Sequence, residues 1–140
     1  MRGNKARSFV AIMIAVAIVS LVLRILIDKI IKINIAQNES RASLTLKLIS
    51  TALENYAKDN QGLYPNSLAA LRNAKPAYLD KDYILSPTFK GYVYTCSRLQ
   101  ESGYSCAAQP IKCNLTGNTV FSISTSGLLV QEGCIKKEAE

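Results

Sequence analysis

The chain has 140 residues, 49% of them hydrophobic, with 17 basic against 10 acidic side chains and no histidine. Nine basic and four acidic groups fall in residues 1–60, so the last eighty residues hold only eight against six and show no basic stripe of the kind that grips nucleic acid. Without histidine there is no Ser–His or Cys–His nucleophile pair, and without a CxxC or Cys/His pairing there is no zinc site; the chain reads as a non-enzyme with no cofactor.

The first element is the stretch Phe9 to Ile27, whose one charge is Arg24. Nineteen residues rise about 28 Å as a helix, enough to cross the hydrocarbon of a bilayer. Arg24, near the far end, can reach the headgroups. Arg2, Lys5 and Arg7 precede the span and favour a cytoplasmic N-terminus, although Lys29 and Lys32 follow closely on the other side. The exit "LRILIDKIIKINIAQNES" stays apolar and helical and offers no small-residue cleavage site, which favours a retained anchor over a discarded signal.

No glycine or proline interrupts Asp28 to Asn60, and Ala42, Leu46, Ile49, Leu53 and Tyr56 recur at spacings of four and three, one stripe on a helix. Arg41, Ser43, Lys47, Ser50, Glu54, Asn55 and Lys58 occupy the other faces, with Glu54 and Lys58 placed as an i, i+4 pair. Gly62 suits a left-handed cap. A single helix from about Ser8 to Asn60, on the order of 80 Å long, is expected. The alternative is a break near "NIAQNES", where Asn34, Asn38 and Ser40 lower helix propensity. The segments are then a basic leader (1–8), a membrane half (9–27), an amphipathic half (28–60) and a head (61–140).

In the head, Ser67 or Asn66 can cap a short helix over Leu68 to Arg72 after Pro65, and Pro76 and Pro87 punctuate an irregular connection. The runs "GYVYTCSR", "YSCAAQP", "TVFSISTS" and "LLVQEG" are rich in aromatic, β-branched and hydroxyl residues, with joints at "LQESG" and Gly127. They predict an antiparallel sheet of three or four strands, covered on one face by the striped helix: an α+β fold.

Four cysteines in a small head downstream of a membrane-targeting segment predict two disulfides formed outside the cytosol, against the alternative of buried reduced thiols. Of the three pairings, the strand order favours Cys96–Cys106 across the first hairpin and Cys113–Cys134 where the third strand begins and the fourth ends. The head carboxylates Asp80, Asp82, Glu101, Glu132, Glu138 and Glu140 are scattered. Asp80 and Asp82 stand two residues apart, a spacing that suits a solvated turn better than a calcium loop. "NLT" at Asn114 and "NES" at Asn38 match a glycosylation acceptor only as short motifs do by chance.

Taken together, the basic leader "MRGNKARS" before a Phe-led apolar helix, the segment "LKLISTALENYAKDNQGLYPNSLAAL", and "GYVYTC" with "YSCAAQPI" and "NTVFSISTSGLLV" resemble the type IV pilin and type II secretion pseudopilin family over nearly the whole chain. The resemblance implies the pilin fold and a single-pass subunit of the bacterial inner membrane, its N-terminus cytoplasmic and its head extracytoplasmic. It implies as partners the lipid bilayer, a prepilin peptidase, an assembly platform, and copies of itself or other pilin-like subunits. It also implies cleavage between Ser8 and Phe9 with N-methylation of Phe9. Matching on Phe9 sets Ser8 where the family has glycine and Met13 where it has a glutamate thought to pair with a neighbour's N-terminal amine. A minor or tip subunit, a divergent system assembling by apolar packing, and an anchored relative that keeps its leader all fit these departures. Phe9, Met13 and Arg24 are the candidate assembly residues. The alternative function is a membrane-anchored extracytoplasmic binding module that does not polymerise.

Overall fold

The structure, a computed structural model, describes residues 3–84 and 88–134, with side chains of the first helix from Ser8 onward. The leader's Arg2 and the side chains of Lys5 and Arg7 lie outside the described residues, as do Pro87, Glu138 and Glu140. Six elements follow in order: α1 (Gly3–Asp59), α2 (Leu68–Asn73), β1 (Tyr92–Gln100), β2 (Gly103–Pro110), β3 (Thr119–Ser124) and β4 (Leu129–Gly133). Helix α1 begins earlier than the expected Ser8, since nothing after Gly3 forbids helix and Lys5, Ala6 and Arg7 favour it. Asn34 to Ser40 are helical too, so the expected single helix is present and the alternative of a break there is not met. The chain divides into two units, residues 1–34 and 35–140.

In the second unit the helix packs against a four-stranded antiparallel sheet in which every strand neighbours its successor, β1-β2-β3-β4. The predicted stripe is the helix's contribution to the core. Ala42, Leu46, Ile49 and Leu53 are fully buried and Tyr56 half-buried, with Ala52 and Ala57 widening the stripe. Against it lie Tyr92 and Tyr94 of β1, Tyr104, Cys106 and Ala108 of β2, and Phe121 and Ile123 of β3, every second residue of each strand as the pleat requires. Leu68 and Leu71 of α2, with Leu79 and Tyr83, complete the same cluster.

The end of α1 is a Schellman motif: the N–H of Gly62 donates to the carbonyl of Ala57 at 2.7 Å, and Gln61 at φ 59° holds the left-handed position ahead of it. Gln61, not Gly62, is therefore the cap, with Gly62 itself left-handed at φ 87°. Ser67 occupies the N-cap of α2 but makes no side-chain cap bond; the first turn is held by backbone. Glu101 and Ser102 join β1 to β2, while the consecutive left-handed residues Ser126 and Gly127 reverse the chain between β3 and β4 as primed turns do.

Both disulfides are those the strand order favours. Cys96 and Cys106 face each other directly in the β1–β2 register, and Cys113 is joined to Cys134. Cys113 sits in the connection between β2 and β3 rather than entering β3, and Cys134 follows β4, with its N–H donating to the carbonyl of Asn118 at 2.7 Å.

Candidate functional site

The most distinctive surface of the molecule is the helical stretch Phe9 to Ile33. Phe9, Val10, Ile12, Met13, Ile14, Val16, Ile18, Val19, Leu21, Val22, Leu23, Ile25, Leu26, Ile27, Ile30 and Ile33 are all exposed, and they succeed one another on every face. Leaving such side chains in water costs about 1.5–3 kcal/mol each, tens of kcal/mol together, so this surface needs an apolar surrounding. The helix is long and apolar enough to cross a membrane. Its polar Ser20 is satisfied from within, the hydroxyl donating to the carbonyl of Val16 at 2.8 Å, as a low-dielectric surrounding demands.

Ser8 and Phe9 lie inside α1, so the candidate cleavage bond falls within a helix rather than at its start. Phe9 is 64% exposed and Met13 60% exposed; one turn apart, they share a face with no carboxylate at position 13. Arg24 is exposed on the same helix, one turn before Asp28, and Lys29 and Lys32 follow, exposed as well. The cysteines belong to the head.

The head itself is fastened to α1 by polar contacts that the apolar spacing does not announce. Glu54, assigned by its position to the solvent face and to a pair with Lys58, is instead half-buried and takes three donors from the head. Its Oε1 accepts the hydroxyl of Tyr104 at 2.9 Å and the N–H of Ser126 at 3.0 Å, and its Oε2 accepts the hydroxyl of Tyr64 at 2.9 Å. Ser50, another residue of the expected polar face, is buried, with its Oγ 2.7 Å from the Tyr104 oxygen. Since the Tyr104 proton points to Glu54, Ser50 is the donor in that second bond. One turn after Ile35, the Asn38 amide donates to the carbonyl of Thr116 at 3.0 Å and Glu39 accepts the N–H of Asn118 at 2.7 Å. These fix the β2–β3 connection, in which Gly117 lies so close beneath the Tyr92 ring that a Cβ would collide with it.

Burial pushes the Tyr83, Tyr92 and Tyr104 hydroxyls up to about 12, helped at Tyr83 by its bond to Asp80, at Tyr92 by the charge of Glu39 and at Tyr104 by Glu54. Asp80 accepts the Tyr83 hydroxyl at 3.1 Å and Asp82 the N–H of Ile84 at 2.9 Å, so both carboxylates shape the turn in which they lie. Lys81 rests over the rings of Phe89 and Tyr83, 3.9 and 4.9 Å from their centroids. A cleft of about 570 Å³ opens between Tyr56, Asp59, Tyr64 and Glu101, and another of about 650 Å³ beside Cys113, Val120 and Glu132. Among the described residues no group of three His, Cys, Asp or Glu could hold a metal ion.

No protein-family model, curated protein or solved structure matches the chain.

Proposed function

We propose that this protein is a structural subunit, in a minor position, of a type IV pilus-like or type II secretion pseudopilus filament, stored in the inner membrane before assembly. The observation behind this reading is the all-round apolar surface from Phe9 to Ile33 on the same helical element whose later part forms the core of a small cross-linked head. Lipid satisfies that surface in the stored state, and neighbouring helices satisfy it in a filament, so one sequence serves both surroundings without refolding the head. Partners on this reading are copies of the chain or other pilin-like subunits, a prepilin peptidase and an inner-membrane assembly platform. The head faces the extracytoplasmic side, where its disulfides form.

Met13 favours a second reading as well. A charged residue inside the span would pair with a neighbour and set the register of packing, and an apolar one supplies no such partner. An anchored interaction protein of the same fold that never polymerises would carry an apolar residue there with no penalty. The mass of the mature protein separates the two. A chain starting at N-methylated Phe9 supports the filament subunit, whereas an intact chain from Met1 supports the permanent anchor and refutes processing at Ser8.

A further inference from the structure

We infer that Arg24, Lys29 and Lys32 form a collar that binds anionic phospholipid headgroups in the leaflet nearer the head. The inference rests on the membrane-spanning part of the functional reading and not on polymerisation.

Three cations and the single anion Asp28 leave the collar at +2, and all four side chains are exposed on α1. At 1.5 Å per residue, Arg24 stands about 22 Å and Lys32 about 34 Å along the axis from Phe9, so the collar straddles the far boundary of a hydrocarbon layer about 30 Å thick. Successive residues turn by 100°, which puts Arg24, Asp28 and Lys32 within one 80° arc and Lys29 about 140° from Arg24. The cations therefore spread over an arc of about 140°, a broad face of the helix and not a single edge.

Ile25, Leu26, Ile27, Ile30 and Ile33 are exposed between and beside these charges. That mixture suits the headgroup level of a bilayer, where isoleucines reach down into acyl chain and lysines reach out to phosphate. An acidic protein surface in water would meet the cations but leave the isoleucines wet. Anionic lipid satisfies both at once, and each basic side chain near such a surface favours it by about fivefold. Asp28, one turn from both Arg24 and Lys32, offsets part of this attraction.

The test uses the full chain reconstituted in phosphatidylcholine vesicles doped with phosphatidylglycerol, with spin-labelled lipids of each headgroup reporting the fraction held at the protein. The expected result is a preference on the order of fivefold for the phosphatidylglycerol label, weakened by salt and largely lost in R24Q/K29Q/K32Q. K5Q/R7Q, at the other end of the span, should keep most of it. Equal retention of both labels by the unaltered protein, or a preference that survives R24Q/K29Q/K32Q and disappears in K5Q/R7Q, would overturn the collar. Absence of any retained lipid of either kind would refute the membrane span itself, and the collar with it.

Discussion

The hydroxyl of Tyr104 donates to the carboxylate of Glu54 at 2.9 Å, joining the centre of the sheet to the helix through a bond between residues fifty apart in sequence. Ser50 donates to the same phenol oxygen, and Tyr64 and Ser126 complete the set around Glu54. Because Tyr104 and Ser50 are buried and Glu54 is half-buried, these three depend on one another. Glu54→Ala should destabilise the head by about 2–3 kcal/mol, and Tyr104→Phe by about 1 kcal/mol. In a double-mutant cycle measured by urea unfolding, the two losses should fail to add by at least about 0.5 kcal/mol. Full additivity would mean that the bond is not made in solution.

The same burial has a consequence at alkaline pH. Tyr83, Tyr92 and Tyr104 ionise only near pH 12 in the folded head, against 10.0 for an ordinary tyrosine. The folded state thus holds its protons after the unfolded chain has begun to lose them. The stabilisation associated with these phenols is fully present below pH 10 and is lost as pH rises from about 10 to about 12. Melting temperature followed against pH, with phenolate absorption recorded on the same samples, should show both changes in that window. Phenolate formed at pH 10 by Tyr83, Tyr92 or Tyr104 themselves, in a still-folded head, would contradict it.

The two faces of α1 in the head predict opposite responses to the same chemical change. Leu53 is fully buried, and Leu53→Ala should cost about 2–5 kcal/mol. Leu48 is 46% exposed on the opposite side, and Leu48→Ala should alter the isolated chain's stability by no more than about 0.5 kcal/mol. Comparable losses at the two sites, measured by urea unfolding, would be incompatible with the observed packing.

The disulfides make separable contributions. Cys113–Cys134 closes the longer segment, with a sequence separation of 21, and C113S/C134S should lower stability by about 3 kcal/mol. Amide exchange should rise first in residues 111–118, the connection held by Asn38 and Glu39. The helical signal of Phe9 to Ile33 should remain, since the backbone hydrogen bonds of a helix lie within the helix itself. Unchanged melting after reduction would deny these bonds a stabilising role.

Within the proposed filament, Met13→Glu is expected to be tolerated and to strengthen assembly, because it supplies the charge that could pair with a neighbour's amine. Filament yield after shearing is the measurement. Complete loss of assembly in M13E would count against the pilin-like reading.

Much of this architecture was legible from spacing alone. A four-three recurrence of apolar residues has one helical solution, so the stripe from Ala42 to Leu53 was visible, as were four strands separated by turn-forming residues. A hairpin centred on Glu101 places Cys96 opposite Cys106 by counting alone. Hydrogen bonds between residues far apart leave no such periodic trace. Glu54 and Ser50 looked like solvent-face residues, and Asn38 looked like a weak point in the helix, because each makes sense only once Tyr104 or the Thr116 backbone is beside it. Gln61 takes the left-handed cap although it is not glycine, so the residue type in the sequence points to its neighbour Gly62 instead.

A sheet whose strands neighbour one another in the order of synthesis carries a timetable. If the chain emerges from a translocation pore starting at its anchored end, the β1–β2 hairpin and its cystine can close while Cys134 is still inside. The second bond can then form only between cysteines that the finished meander has already brought together, so the order of exit itself guards against the wrong pairing.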